Sequence, residues 1–60
     1  MNEIAFKAKF KVDELIKIKG SETKGFIKAY LVNENGLDEY LVTTHEGKTL
    51  YVKEAHLEKA

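Results

Sequence analysis

Phe26-Ile27-Lys28-Ala29-Tyr30-Leu31-Val32, then Asn33-Glu34-Asn35-Gly36-Leu37-Asp38, then Glu39-Tyr40-Leu41-Val42-Thr43-Thr44 is the stretch whose reading decides the fold. The two flanking runs are rich in β-branched and aromatic residues, which fit the pleated surface of a strand. Between them lies Asn-Gly, a dipeptide that tolerates the left-handed backbone angles of a tight hairpin turn. Two-residue periodicity puts Ile27, Ala29 and Leu31 on one side of the first strand and Phe26, Lys28, Tyr30 and Val32 on the other. In the second strand Tyr40 and Val42 share a face, opposite Leu41 and Thr43.

Working outward, Leu15-Ile16-Lys17-Ile18-Lys19 alternates apolar and charged residues and predicts a half-buried strand. Gly20-Ser21-Glu22-Thr23-Lys24-Gly25 is a polar loop bracketed by glycines. Gly25 is expected where the chain leaves the loop for the next strand, in a backbone conformation or a packing contact that a Cβ would disturb. On the other side, His45-Glu46-Gly47 makes a short turn. Lys48 to Lys53 forms another strand, with Leu50 and Val52 on one face and Thr49 and Tyr51 on the other. Glu54-Ala55-His56-Leu57 spans about one helical turn, too short to stand alone, so a 3-10 turn that plugs Leu57 into an open end of the sheet is predicted. At the N-terminus Ile4, Phe6, Ala8, Phe10 and Val12 alternate with polar residues, which favours a strand. A helix beginning near Asn2 would scatter these residues around its circumference, although Phe6 and Phe10 would still pair one turn apart.

The chain has 60 residues and a mass of 6.8 kDa, which restricts it to one domain with one core. That domain spans 1–60, with 1–11 as an N-terminal arm or strand. Ten lysines balance ten acids, there is no Arg, and 43% of residues are hydrophobic. This composition excludes a polyelectrolyte tail and intrinsic disorder. The absence of Cys excludes disulfides and thiolate zinc sites. No apolar run approaches the ~18 residues of a membrane span, and no signal-peptide core is visible, so the expected location is cytoplasmic. Catalysis finds no support. His45 and His56 lack companion ligands, Ser21 has no nearby His, and the pairs Asp13-Glu14 and Asp38-Glu39 point successive side chains to opposite faces. The Gly20 to Gly25 loop lacks the Gly-Lys-Ser/Thr ending of a phosphate loop. No enzyme activity, metal, cofactor, small-molecule substrate or membrane partner is expected.

Val12-Asp13-Glu14-Leu15-Ile16-Lys17-Ile18, Gly20, Lys24-Gly25-Phe26-Ile27, Tyr40-Leu41-Val42, Gly47-Lys48 and Leu57 together resemble the running pattern of SH3-like barrels of the KOW, Tudor and small phage-protein type. The resemblance runs from Val12 to the end of the chain. Asp13 stands where the pattern often has glycine, and the second glycine pair of the ribosomal KOW motif is missing after Gly25. In brevity and Lys/Glu-rich composition the chain is more similar to SH3-like proteins encoded by phages and mobile elements, the YorP-like proteins among them. The resemblance implies an all-β fold: a small five-stranded SH3-like barrel with a short terminal 3-10 turn and an extra N-terminal strand or arm. Such motifs specify a fold and leave function open.

Function is sought in surfaces. With Ile16, Ile18, Ile27, Ala29, Leu31, Tyr40, Val42, Leu50, Val52 and Leu57 inside, the residues Phe26, Tyr30, Val32, Leu41 and Tyr51 fall outside, more apolar surface than a monomer leaves wet. Either Ile4, Phe6 and Phe10 of the arm cover that face or a partner does. The expected function is therefore a non-catalytic protein-interaction module in which Phe26, Tyr30, Leu41 and Tyr51 bind a protein or a second copy of the chain. Charge suggests the alternative. Residues 1–28 sum to +3 and residues 29–60 to −3, so Lys17, Lys19, Lys24 and Lys28 beside Phe26 and Tyr30 form a stripe suited to weak nucleic-acid binding.

Overall fold

The computed structural model describes residues 8–60. Its strands are β1 (Leu15–Ile18), β2 (Lys24–Asn33), β3 (Gly36–Thr44), β4 (Thr49–Val52) and β5 (Leu57–Lys59), with a 3-10 turn at Glu54–His56 between the last two. They form one antiparallel sheet of five strands in the order β4-β3-β2-β1-β5. The fold is therefore all-β. The expected barrel is not closed, because β4 and β5 are the two edges of an open sheet. The 3-10 turn carries the chain from β4 to the far side of β1, and its His56 carbonyl accepts the Lys19 N–H at 2.9 Å.

The hairpin forms where Asn-Gly placed it. Asn33 pairs with Gly36, Gly36 adopts a φ of 115°, and the Asn33 Oδ1 accepts the Asn35 N–H at 2.8 Å. Gly25 pairs with Thr44 and lies against the β3 backbone, where a Cβ would meet the Thr43 carbonyl oxygen and come within 2.8 Å of the Thr44 Cα. Space, rather than backbone angle, demands glycine there.

Side-chain parity departs from simple alternation. The β2–β3 register shifts between Ile27 and Ala29, leaving Lys28 as a bulged residue, and shifts again between Leu31 and Val32. One extra residue in a strand reverses the face of everything beyond it. Ile27 pairs with Val42, but Tyr30 then pairs with Tyr40, so Tyr30 turns to the buried face while Ala29 and Leu31 turn away from it. The expectation that Tyr30 lies outside, and Ala29 and Leu31 inside, is corrected accordingly.

The core consists of Phe10, Ile16, Ile27, Tyr40, Val42 and Leu57, with Ala8, Ile18, Tyr30, Leu37 and Val52 packed against it. Phe10 corrects a second expectation. Residues 8–12 form no strand, and Phe10 sits fully buried on the inner face instead of covering the outer one. Ile4 and Phe6 lie outside the described residues. The fifth strand comes from Leu57–Lys59, whose Leu57 is buried as expected but pairs with Ile18 as part of a ladder on β1.

Asp13 has a φ of 72° and is the one described non-glycine residue with a positive φ. It stands where the resembled pattern often carries glycine. Its N–H donates to the Ile27 carbonyl at 2.7 Å, while the Ile27 N–H donates to the Glu14 carbonyl at 3.1 Å. These two bonds tie the turn before β1 to the start of the bulge.

Candidate interaction surface

Residues opposite one another in an antiparallel ladder project from the same side of the sheet. On the outer face the register builds a row Leu15–Phe26–Thr43–Thr49 and, past the Lys28 bulge, a row Ala29–Leu41–Tyr51, followed by Leu31 opposite Glu39. Tyr51 is 62% exposed, Phe26 43% and Leu15 38%. Of the four sequence-derived interaction residues, the structure brings Phe26, Leu41 and Tyr51 together on this face and puts Tyr30 behind it. Leu15 joins them, and its alternation with buried Ile16 was the signal that could have revealed it. His45 leans on the Phe26 ring with 5.5 Å between centroids.

The charges around this face have both signs. Lys17 pairs in register with Lys24 and is flanked on its other side by Glu58, whose carboxylate lies 3.6 Å from the Lys17 Nζ. Lys28 occupies the bulge and Lys19 follows β1 in a turn, so neither continues the Lys17–Lys24 pair in the ladder. The four lysines thus reduce to one adjacent pair beside Leu15 and Phe26.

The inner face holds a polar clamp that the sequence reading missed. The Tyr40 hydroxyl donates to Glu54 Oε2 at 2.6 Å and accepts the Phe10 N–H at 3.3 Å. Glu54 Oε2 also accepts the Lys9 N–H at 2.9 Å, and the Tyr30 hydroxyl donates to the Phe10 carbonyl at 3.1 Å. The rings of Phe10 and Tyr30 each meet Tyr40 edge to face, at 5.6 and 5.7 Å. Burial, reinforced by the bond to Glu54, pushes the Tyr40 phenol up to about 12. The same bond, with the Lys9 amide, holds the Glu54 carboxyl below its ordinary value. Both groups keep the protonation states that sustain their hydrogen bond across the neutral range.

Among the described residues no buried side-chain N or O lacks a partner. Nor do three His, Asp or Glu side chains among them gather as a metal site, and no helix there is long and apolar enough to cross a membrane. The Tyr40–Glu54 pair holds the Lys9 and Phe10 backbone in place. Comparison with protein-family models, curated proteins and solved structures finds no match to the chain, so no family or activity follows from likeness.

Proposed function

We propose that the chain is a small non-catalytic binding module that engages a protein partner through the outer face of its sheet, with Phe26, Leu41 and Tyr51 as anchors and Leu15 beside them. The observation that carries this reading is the set of large apolar side chains on the outer side of a sheet whose other face is already packed: Tyr51 and Phe26 stay 62% and 43% exposed, although the inner core fully buries Phe10 and Tyr40. Large exposed apolar side chains grouped on one face mark an interaction site, and aromatic anchors supply most of the energy in such sites. A rim containing Lys17, Lys24, Glu39 and Glu58 adds orientation without a strong net field. The SH3-like reading of the fold finds support in the 3-10 turn before the last strand and in the left-handed backbone at Asp13.

Affinity capture with the wild type and with a Phe26→Ser/Tyr51→Ser variant tests the proposal. The wild type is expected to retain a partner that the variant loses. Equal capture by both rejects this face.

A second reading, weak single-stranded nucleic-acid binding, draws on one observation: Lys17 and Lys24 are register partners next to exposed Phe26. It predicts oligonucleotide binding that weakens steeply between ~50 and ~200 mM salt as counterions are released. Fluorescence anisotropy that shows no binding at the lower salt ends it.

A further inference from the structure

We propose that the segment carrying Phe10 is exchangeable, so that two copies of the chain form a dimer in which each seats its Phe10 in the other's Tyr30–Tyr40–Glu54 clamp. The clamp holds Lys9 and Phe10 as it would hold a peptide. One aromatic side chain is fully buried, and its flanking backbone is read by three side chains from three different elements: Tyr30 of β2, Tyr40 of β3 and Glu54 of the 3-10 turn. No strand ladder fixes residues 8–12 to the sheet. Every contact that seats Phe10 is therefore available unchanged to a Phe10 arriving from a second copy.

The connection between this segment and β1 gives the exchange its driving force. Lys11 to Glu14 form a tight exposed turn, closed by the Glu14 N–H donating to the Lys11 carbonyl at 3.0 Å and by the Lys11 N–H donating to Glu14 Oε1 at 2.9 Å. Within it Asp13 takes a φ of 72°, a conformation that side-chain-bearing residues adopt at a cost. A turn that stores strain beside an exchangeable segment favours swapping. Opening it gives up the bonds that close it, the Asp13 N–H to the Ile27 carbonyl at 2.7 Å among them, and releases the Asp13 strain twice in each dimer. In the monomer the opposing factor is the high effective concentration of a segment tethered a few residues from its site, so exchange belongs to concentrated or refolded protein.

The test uses full-length chain refolded at ~1 mM, a concentration comparable to the effective concentration of a short tether, and analysed by size-exclusion chromatography with light scattering. Relative to wild type, Asp13→Gly should lower the dimerisation constant about tenfold, because glycine accepts the closed turn without strain, and Asp13→Val should raise it by a similar factor. In dimer assembled from isotope-labelled and unlabelled chains, a filtered NOE should connect the Phe10 ring of one chain to the Tyr40 ring of the other. A dimer in which that NOE is purely intrachain overturns the proposal, as does wild-type protein that stays monomeric under these conditions. If Asp13→Val fails to fold, the comparison of wild type with Asp13→Gly decides: equal dimer fractions refute the exchange.

Discussion

Tyr40→Phe isolates the clamp from the packing around it. The ring stays, and with it the edge-to-face contacts to Phe10 and Tyr30 at 5.6 and 5.7 Å. Two hydrogen bonds go: the one donated to Glu54 and the one accepted from the Phe10 N–H. Phe10 is fully buried, so its amide loses its partner where water does not replace it, at about 1–3 kcal/mol. The bond to the carboxylate is charge-assisted and contributes roughly 1.5–3 kcal/mol, part of which Glu54 recovers by solvation. A net loss of about 2–4 kcal/mol follows, a large share of the roughly 3–9 kcal/mol available to a domain of this length. With an unfolding entropy near 2 cal/mol/K per residue, each kcal/mol lowers the melting temperature by about 8 °C, so the variant should melt roughly 16–30 °C below wild type by circular dichroism. A double-mutant cycle with Glu54→Gln by urea unfolding should give a coupling energy above about 0.5 kcal/mol. A Tyr40→Phe loss below about 0.5 kcal/mol, or strict additivity with Glu54→Gln, refutes the clamp, since contacting partners couple by more than that.

Alkaline pH should reveal the same pair. The folded state holds the Tyr40 phenol at about 12 against an ordinary 10.0, so its contribution, roughly 3 kcal/mol by linkage, is complete below pH ~10 and lost as pH rises through ~12; a pH series of urea midpoints should show this limb in wild type and lack it in Tyr40→Phe. Glu54 has the opposite sign. Its lowered folded value means its contribution is present above its ordinary 4.5 and is lost as pH falls through the depressed value, so Glu54→Gln should flatten the acid limb of the same series. Gly25→Ala drives a Cβ into the Thr43 carbonyl and the Thr44 Cα, atoms of the β3 backbone that do not yield cheaply; thermal melting should show a loss of about 1–3 kcal/mol, and a neutral result would place Gly25 elsewhere. Asp13→Gly should be neutral or raise stability by up to about 1 kcal/mol, the relieved left-handed strain partly offset by glycine's entropy in the unfolded chain; a clear loss would show that the Asp13 side chain has a role of its own.

Most of the sheet was legible because its signals are local. The Asn-Gly hairpin, the glycine-bracketed loop and the alternation of β1, β3 and β4 each depend on neighbouring residues, and Gly25 was readable as a position intolerant of a Cβ, though only the facing β3 backbone shows that space and not backbone angle is the reason. The features that escaped are those that depend on register or on distant partners. A bulge at Lys28 leaves no mark in a run as uniformly β-prone as Phe26 to Val32, yet it moves Tyr30 from the outer face to the inner one. The alternation around Phe10 reads as a strand laid over the outer face, which residues 8–12 do not form. Only Tyr40 and Glu54, 30 and 44 positions away in the chain, determine that Phe10 is a plug. Closure failed for a related reason. The residues after His56 are too few to announce a strand, and their pairing with β1 instead of β4 decides that the sheet stays open. For the candidate surface, simple alternation was enough for Phe26, Leu41 and Tyr51, whose faces no bulge inverts, and inadequate for Tyr30.

Among the described residues the two faces of the sheet are unequal: Phe10 closes the inner one, and the outer one leaves Phe26 and Tyr51 exposed. Relaxation of ring protons by a soluble paramagnetic agent reads both faces in a single NMR experiment. The Phe26 and Tyr51 rings, 43% and 62% exposed, should relax strongly, while those of Phe10 and Tyr40, with no exposed surface, should be nearly unaffected. Strong relaxation at Phe10, or protection of Phe26 and Tyr51 in the free chain, would contradict the account.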